Sequence, residues 1–347
     1  MDPRGFPTTL PEFQKVFPHD DACAKYLENL RWPEAFACPK CGVIGEPYRF
    51  AARPGVLRCR SCKSNVSLTA GTVMQGTHMP LSTWFWAAYL MTTQTPGQSA
   101  MQFQRQLGLS RHETAWMLLH KLRSGMVRPE RDTIGQEHPV EVDETLVGGR
   151  TRGEGKGVHH KVYVLGGVEV RTRKPGEDRA AQYHDHKDGK PLKRQTYAGR
   201  LRLQVVADRK AATCEGFVRD NVARGALIRT DGWQGYDGLT TGGWRHDGRV
   251  LTPEQADDHL PMIHLVFSNL KTWILGTHHG TSQTHLQAYL NEYTFRFNRR
   301  FYPMTAFNSV LGLAAKTIPP TYAALYSGAW QHPGGPPTSP QVEMPFA

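Results

Sequence analysis

Two aspartates, each at the end of a predicted strand, could together hold a divalent metal ion. The run Pro139-Val-Glu-Val-Asp143 predicts a strand that ends in an acid, and Ala226-Leu-Ile-Arg-Thr predicts a strand that delivers Asp231. In adjacent strands the two carboxylates would lie close together and repel each other unless a cation bridged them. Oxygen ligands suit Mg²⁺, and such a site could activate water or a 3′ hydroxyl towards a phosphodiester. The alternative is that both are turn residues, since aspartate favours turns.

A histidine and a lysine seven residues apart, His264 and Lys271, form a second candidate pair. Seven residues are about two helical turns, so both side chains would share one helix face. A solvated face is the alternative interpretation. A loop bounded by Gly276 and Gly280 follows, and Ser282 stands where the N-cap of the next helix would be.

Four of the six cysteines form two C-x-x-C pairs, Cys38 with Cys41 and Cys59 with Cys62. Residues 42–58 separate the pairs, a spacing within the range of four-cysteine zinc sites. Four thiolates would fill a tetrahedral shell and leave no open position, so the predicted zinc ion is structural. A redox dithiol pair is the alternative. The sequence also predicts two short strands between the pairs, at 48–50 and 56–58, and a tight turn at Gly42.

Helical patterns flank this zinc site. Residues 1–37 are predicted to be helical, with Cys23 as a small buried side chain. Further helices are predicted at 82–93, at 99–107 and from Ser110, whose hydroxyl would form a capping box with Glu113. The glycine turn and the basic third helix are typical of a helix-turn-helix in a major groove, although any small helical bundle shares this pattern. The side chains of the third helix expected to point outward are Arg111, His112, Thr114, Lys121 and Arg123.

The composition favours a polyanionic partner. The 347 residues include 42 Lys and Arg against 31 Asp and Glu, a net charge of +11, which indicates nucleic acid or simply a basic surface. The first residues lack the pattern of a signal peptide, and the longest apolar segment, around 84–91, is too short to span a bilayer. We therefore expect a soluble, cytoplasmic, nucleoid-associated protein.

The two aspartates lie within an alternating series of predicted elements. Strands at 139–145, 162–170 and 201–207, a helix around 215–223 and a strand at 226–230 give the order β-β-β-α-β. This order suggests a ribonuclease H-like arrangement, in which the strands that carry Asp143 and Asp231 are neighbours.

Several motifs follow one another along residues 20–315. They are the four-cysteine ribbon, Ser67-Leu-Thr-Ala-Gly-Thr-Val-Met74, Val142-Asp-Glu-Thr145 with Gly148-Gly149, Thr230-Asp-Gly232 with Gly235-Tyr236, Gly276-Thr-His-His279, and the run from His285 to Arg300. In this order they resemble the motifs of the zinc-ribbon transposases of bacterial insertion sequences, the insertion sequence 1595 family. The resemblance implies a DDE-type transposase, a divalent-metal-dependent polynucleotidyl transferase that cleaves and joins DNA strands.

The resemblance also implies roles for individual residues. Asp143 and Asp231 would hold Mg²⁺ or Mn²⁺. The third position of the family is usually Glu or Asn, followed seven residues later by Lys; here His264 occupies that position and Lys271 the matching one. Imidazole is a weaker partner for Mg²⁺ than a carboxylate. The acids just upstream, Glu254, Asp257 and Asp258, are alternatives to His264, and Lys271 would contact a phosphate.

The expected partners are transposon ends and target DNA, bound by a homo-oligomer. The ribbon and the helix-turn-helix would recognise terminal inverted repeats, with Arg111, His112, Lys121 and Arg123 among the contacts. The basic insertion at 171–200 and the cluster of Arg296, Arg299 and Arg300 would neutralise DNA backbone. For the cluster, a solvated helix end favoured by the helix dipole is the alternative.

The predicted fold is an α/β multidomain protein. Its parts are an N-terminal helical segment (1–37), a zinc ribbon (38–80), a helix-turn-helix region (81–128), a ribonuclease H-like catalytic domain (139–315, with the charged insertion 171–200), and a Pro/Gly-rich flexible tail (316–347). Two rival functions remain: a decayed or domesticated DNA-binding protein without activity, and a nuclease that cleaves without joining.

Overall fold

A computed structural model describes residues 7, 9–127, 132–148, 161–173, 195–250, 252, 255, 258–317 and 319–330. They form two compact units, one of residues up to 127 together with 302–330, and one of residues 132–301. The loop 151–160, residues 174–194 of the basic insertion and the tail from 331 lie outside the described residues. Within the described ranges, no helix is both long and apolar enough to cross a membrane.

The helices and strands of both units follow in chain order. The helices are α1 Leu10–Val16, α2 Asp20–Arg31, α3 Leu81–Thr93, α4 Ala100–Gln106, α5 His112–Ser124, α6 Ala211–Asn221, α7 Pro261–Trp273, α8 Leu286–Phe297, α9 Pro303–Ala314 and α10 Tyr322–Tyr326. The strands are β1 Tyr48–Phe50, β2 Arg53–Arg58, β3 Asn65–Ser67, β4 Val140–Val147, β5 Val162–Thr172, β6 Thr196–Val206, β7 Leu227–Asp231 and β8 Arg245–Arg249.

An aromatic cluster around Phe13 forms the core of the first unit. Phe13 is fully buried, and its ring centroid lies 4.3 Å from that of Tyr89 and 5.5 Å from that of Phe307. Leu68 and Thr72–Met74 of the S-L-T-A-G-T-V-M motif are buried in the same unit, and the amide of Val73 donates to the carbonyl of Ala314 at 3.1 Å. Helix α9 therefore belongs to this unit, whereas the predicted catalytic domain extended to residue 315.

The predicted helices at 82–93 and 99–107 are confirmed as α3 and α4, but the start of the next helix differs. Ser99 caps α4 by accepting from the amide of Gln102 at 3.2 Å, and Gly108 turns the chain with a φ of 62°. Helix α5 then begins at His112, after an N-cap residue, Arg111, whose side chain makes no capping bond. The predicted capping box at Ser110 is therefore wrong.

Part of the predicted flexible tail is helical. Thr321 caps α10 by accepting from the amide of Ala324 at 3.1 Å. The ring of Tyr326 in this helix lies 6.0 Å from the ring of Trp116 in α5. The tail prediction for residues 322–326 is therefore wrong, because a side-chain cap and an aromatic contact stabilise a short helix there.

The second unit is built on a five-stranded mixed sheet with the order β6-β5-β4-β7-β8. Strands β4, β5 and β6 pair antiparallel, and β7 and β8 continue parallel to β4. The four predicted strands and the predicted helix, α6, are confirmed. Strand β8, Arg-His-Asp-Gly-Arg, was missed because it has no alternation of apolar and polar residues.

Helices cover both faces of this sheet. On one face, Ile263 and Phe267 of α7 and Leu290 of α8 join an apolar cluster with β5 and β6. On the other face, Phe217 of α6 packs with residues of β4, β5 and β7. Alternate residues of β4 therefore point into different cores, since successive strand side chains alternate between faces.

Helix α8 also covers the edge of the sheet, where β6 would otherwise expose unpaired backbone groups. The side chain of Gln287 accepts from the amide of Val205 at 2.8 Å. The side chain of Asn298 accepts from the amide of Leu201 at 2.7 Å and donates to its carbonyl at 3.1 Å. Two polar residues of the H-L-Q…R-F-N-R-R motif thus close the edge of the domain.

An ion-pair network lies away from the aspartates, around Glu169 of β5, whose side chain is 1% exposed. Its carboxylate accepts from Arg200 at 2.9 Å, from Arg171 at 2.7 Å and from the amide of Gly135 at 3.1 Å. Burial alone would raise the pKa of Glu169, but these hydrogen bonds outweigh burial and lower the pKa from 4.5 to about 2.

We expect Glu169→Gln to destabilise this domain by about 1–3 kcal/mol at neutral pH, because the charged hydrogen bonds from two partly exposed arginines are weakened. Because the pKa of Glu169 is lower in the folded protein, its carboxylate stabilises the domain above pH 4.5. This stabilisation is lost as the pH falls from 4.5 towards 2. Urea unfolding at several pH values should therefore give a steeper acid loss for the wild type than for the variant. Equal slopes in that window would contradict the role of Glu169.

Candidate active site

The four predicted zinc ligands lie together in the first unit. The Sγ atoms of Cys38, Cys41, Cys59 and Cys62 are all within 4.8 Å of one another. Two of the separations, Cys38 to Cys62 and Cys41 to Cys59, are 3.7 Å. A tetrahedral site with Zn–S bonds of about 2.3 Å requires S–S distances of about 3.8 Å. The four thiolates therefore fit a structural zinc ion, as the sequence predicts.

Two similar turns position these cysteines. The amide of Gly42 donates to the carbonyl of Cys38 at 2.8 Å, and the amide of Lys63 donates to the carbonyl of Cys59 at 3.1 Å. Gly42 and Lys63 both have positive φ, 72° and 59°. The turn predicted at Gly42 is confirmed, and Lys63 adopts the same conformation in spite of its side chain.

The second unit brings Asp143 and Asp231 to neighbouring strands. Asp231 is the last residue of β7, while Asp143 lies inside β4, which continues to Val147. The two strands pair in parallel, with Glu141 opposite Arg229, so two residues further along the aspartates follow on the same face. Burial and then the nearby charge of Asp143 raise the pKa of Asp231. Two partly buried carboxylates that repel each other fit a divalent cation.

His264 joins the aspartates from helix α7. Its Nε2 lies 3.3 Å from Oδ2 of Asp143, and the two side chains are 29% and 14% exposed. Its charge also acts to lower the pKa of Asp231. Of the alternatives considered for the third position, Glu254 and Asp257 lie outside the described residues, and Asp258 is exposed.

Lys271 lies on the surface of the same helix, as the spacing predicts. Partial desolvation and the charge of Lys161 lower its pKa, whereas Asp143 acts to raise it. The charge of Asp143 thus reaches this ammonium. The segment after the helix differs from the predicted loop: residues Ile274–His278 form a π-helical turn, and Ser282 precedes a short 3₁₀ turn without a side-chain cap.

The described His, Cys, Asp and Glu side chains bring three or more ligand atoms within 4.8 Å of one another only at the four cysteines. Asp143, Asp231 and His264 are thus grouped more loosely than a closed metal cage. Mg²⁺ usually keeps several water ligands and binds through one or two carboxylates. The open arrangement therefore suits a hydrated hard cation that shares its shell with a substrate.

A glycine opposite Asp143 lets helix α7 approach the sheet. Gly166 of β5 pairs with Asp143, and a Cβ atom there would lie 2.7 Å from the ring of Phe267 and 2.9 Å from Ile263. Real Cβ atoms do not approach other atoms so closely. The absence of a side chain at this position therefore sets the distance between α7 and the strand that carries Asp143.

A buried carboxylate that the sequence interpretation missed lies beside the aspartates. Glu141 is completely buried, and its Oε2 accepts from the amides of Met262 and Ile263 at 2.7 and 2.9 Å. Burial raises the pKa of Glu141 to about 7, although these hydrogen bonds and the charges of Arg229 and His264 oppose the rise. The available signal was its position two residues before Asp143 in a strand, which predicts that both side chains share one face.

On the other face of β4, Glu144 anchors the segment that follows Asp231. Its carboxylate accepts from the hydroxyl of Tyr236 at 2.8 Å and from Arg209 at 3.2 Å. The backbone amide of Trp233 donates to Oδ1 of Asp231 at 3.1 Å, and the guanidinium of Arg209 lies 3.9 Å from the Trp233 ring centroid. Contacts within the D-G-W-Q-G-Y motif thus hold the Asp231 carboxylate in place.

The predicted DNA contacts on α5 fall into two groups. Arg111 and His112 are exposed. Lys121 is half-buried and donates to the carbonyl of Gln75 at 3.3 Å. Arg123 is only 2% exposed, so the prediction that it points outward is wrong. The helical spacing alone could not reveal that this guanidinium lies inside the helical unit.

The predicted basic cluster at the C-terminal end of α8 contacts the protein itself. Arg296 is 13% exposed and pairs with the buried Glu292 at 3.5 Å. The guanidinium of Arg299 lies 3.9 Å from the ring of Phe295. Arg300 donates to the carbonyl of Ala198 on the edge strand, and burial lowers its pKa to about 10. All three arginines thus contact their own domain, so this segment is not the freely solvated helix end that was the alternative to DNA contact.

Two family models match the chain. The model described as a transposase zinc-ribbon domain matches residues 18–65, and the model described as an ISXO2-like transposase domain matches residues 135–298. An uncharacterized protein of transposable element ISH50 from Halobacterium salinarum is 26% identical over 309 residues, which are 81% of this chain and 92% of the relative. No solved structure matches the chain. The matched transposase domain contains Asp143, Asp231, His264 and Lys271.

We expect Gly166→Ala to lower the free energy of unfolding by about 1–3 kcal/mol, because the new methyl group overpacks the contact with Phe267. Gly167→Ala is the matched control, since its Cβ would face the ring of Phe217 at 3.4 Å, an ordinary contact distance. Urea unfolding of both variants measures the difference. If the two variants are equally stable, Gly166 does not set the approach of α7.

Proposed function

We propose that the chain is the DNA transposase of a mobile element, because a transposase zinc-ribbon model matches residues 18–65 and an ISXO2-like transposase model matches residues 135–298. It binds the terminal inverted repeats and catalyses strand cleavage and strand transfer into target DNA. The observation that carries this proposal is the grouping of Asp143 with Asp231 and with His264, whose Nε2 lies 3.3 Å from Asp143, inside the matched domain.

The sheet supports a ribonuclease H-like core. Three antiparallel strands are followed by two that run parallel to β4, and Asp143 lies on β4 at the middle of the sheet, next to the strand that ends in Asp231. Such a core presents acids from adjacent strands at one place, which is the arrangement that two-metal phosphoryl transfer requires.

Asp143 and Asp231 are the residues that would hold Mg²⁺ or Mn²⁺, and His264 is the third residue of the site. When bound, the cation would activate the attacking oxygen and stabilise the leaving oxygen of a phosphodiester. Asp231 is held for this task by the amide of Trp233, and Asp143 by its own strand and by His264. Water attacks during cleavage at the transposon end, and the freed 3′ hydroxyl attacks during joining.

Lys271 is proposed to contact the DNA backbone near the cleaved bond. It lies at the surface of α7, two helical turns beyond His264, and is within the electrostatic reach of Asp143. An ammonium at this distance offers a point charge to a phosphate. Lys161, whose charge also acts on Lys271, adds to the positive potential near the proposed phosphate contact.

DNA recognition is proposed for the first unit. The zinc ribbon and the helices α4 and α5 supply it, with the exposed Arg111 and His112 as the first candidates and Lys121 as a partly buried one. The helix-turn-helix assignment and a homo-oligomer on DNA belong to this proposal. Arg123 is left out because it is buried, and Arg296, Arg299 and Arg300 are secondary candidates because each already contacts its own domain.

A non-catalytic DNA-binding protein is the second candidate function, and one observation favours it. Histidine stands at the third position, where the resembling transposases usually carry Glu or Asn, so the site has one negative charge fewer than with Glu. The pairing of His264 with Asp143 argues against decay, because a residue that had lost its task would not need to face the acidic site.

We expect Asp143→Asn and Asp231→Asn to lower cleavage and joining of a duplex with the element's inverted repeat by about 1,000-fold, because each variant loses several kcal/mol of transition-state stabilisation. His264→Ala should also lower both rates. Asp220→Asn is the control, since Asp220 is an exposed acid of α6. All variants should still bind the duplex in a gel-shift assay.

The same assay separates the rivals. If the wild type binds the repeat but never cleaves it with Mg²⁺ or Mn²⁺, the protein is a non-catalytic DNA-binding protein. Cleaved ends without joined product would identify a nuclease. Full activity of Asp143→Asn would refute the proposed site.

A further inference from the structure

Helix α7 carries His264, but no side chain of its own caps its N-terminus. The N-cap residue is Leu260, whose side chain offers no acceptor, and the first helical residue, Pro261, has no amide hydrogen. The next two amides, those of Met262 and Ile263, would be left without partners inside the protein, at the positive end of the helix dipole.

The carboxylate of Glu141 takes the place of the missing cap. Its Oε2 accepts from both amides, at 2.7 Å and 2.9 Å, and the amide of His264 donates to the carbonyl of Leu260 at 3.2 Å. Every amide of the first turn of α7 that can donate therefore has a partner. An anion at a helix N-terminus is stabilising, and this one is provided by the strand below the helix.

The same strand contacts α7 at a second point. Asp143 follows Glu141 by two residues in β4 and shares its face, and Oδ2 of Asp143 meets Nε2 of His264 at 3.3 Å. His264 follows Ile263 directly. The two contacts thus fix neighbouring backbone positions of the helix to neighbouring side chains of one strand, which leaves α7 little freedom to slide or turn.

We propose that Glu141 is a positioning residue of the active site, which holds the N-terminus of α7 so that His264 faces Asp143. The inference rests on the proposed function for its catalytic consequence. Oε1 of Glu141 is buried and has no hydrogen-bond partner among the described residues. A role as a further metal ligand nevertheless fits less well, because Glu141 does not join the aspartates in a close group of ligand atoms among those residues.

Three substitutions of Glu141 separate its effect on the position of α7 from the effect of its negative charge. Glu141→Ala removes the acceptor. Glu141→Gln keeps a carbonyl oxygen at the same reach, so it should restore the hold on the two amides. Glu141→Asp keeps the charge but shortens the side chain by one methylene, and it serves as the test if the alanine variant does not fold. Glu292→Gln, a fully buried glutamate of α8, is the matched control for loss of a buried carboxylate.

Hydrogen exchange of the metal-free protein, followed by mass spectrometry over residues 260–273, is the first measurement. The amides of Met262 and Ile263 should exchange about tenfold faster in Glu141→Ala or Glu141→Asp, since each loses a hydrogen bond worth about 1–1.5 kcal/mol. Glu141→Gln and Glu292→Gln should exchange like the wild type. Unchanged exchange in both the alanine and the aspartate variants would overturn the inference.

Cleavage of the inverted-repeat duplex is the second measurement. Glu141→Ala should lower kcat by up to about 100-fold, the effect of a misplaced catalytic group, with an unchanged KM for DNA and with recovery in Glu141→Gln. Faster exchange with an unchanged kcat would overturn the positioning role. A wild type that never cleaves DNA would refute the proposed function, and the exchange data would then decide alone whether Glu141 holds α7.

Discussion

The proposed site depends on the contact between one strand and the N-terminal turn of one helix. Strand β4 carries the buried Glu141 and the partly buried Asp143 on a single face, and α7 lies across them. Burying carboxylates is costly unless they are hydrogen-bonded or paired. Two backbone amides of α7 donate to one oxygen of the Glu141 carboxylate, and His264 contacts the Asp143 carboxylate. These contacts reduce the cost of burying the two carboxylates only when α7 occupies this position.

Contacts from neighbouring elements further restrict the positions of α7 and of the two aspartates. Gly166 allows Phe267 to pack where a side chain would stand, and the Trp233 amide holds Asp231 from the next strand. On the opposite face, Glu144 binds the Tyr236 hydroxyl. Each of the D-E-T and D-G-W-Q-G-Y motifs therefore contributes two residues. Asp143 and Asp231 belong to the proposed metal site, whereas Glu144 and Tyr236 are hydrogen-bonded to each other on the opposite face of the sheet.

Much of this arrangement could be predicted from the sequence, because it follows local periodicity. The alternating strand at Asp143, the apolar strand at 162–170 and the two-turn spacing from His264 to Lys271 are local signals, and the structure contains the corresponding elements. The cysteine spacing predicted a site whose four sulfur atoms lie within 4.8 Å. The family models agree with the resemblance that these motifs indicated.

The remaining features depend on contacts between distant residues, which periodicity does not encode. The prediction placed Arg123 and Arg300 against DNA, but Arg123 is buried, and Arg300 is partly buried and donates to the carbonyl of Ala198 on β6. Helix α9 follows the transposase domain in sequence and yet packs around Phe13. Glu141 looked like an ordinary charged residue of a strand, since nothing nearby in sequence announces that a helix 120 residues later lacks a cap.

Pulsed electron paramagnetic resonance of the Mn²⁺-loaded protein would show whether His264 completes the proposed metal site with Asp143 and Asp231. We expect the electron spin echo of the wild type to be modulated by a histidine nitrogen. That signal should disappear in His264→Ala and persist in His279→Ala, a control on the segment beyond the helix. Mn²⁺ bound through Asp143 and Asp231 without any nitrogen signal would show that His264 is not part of the metal site.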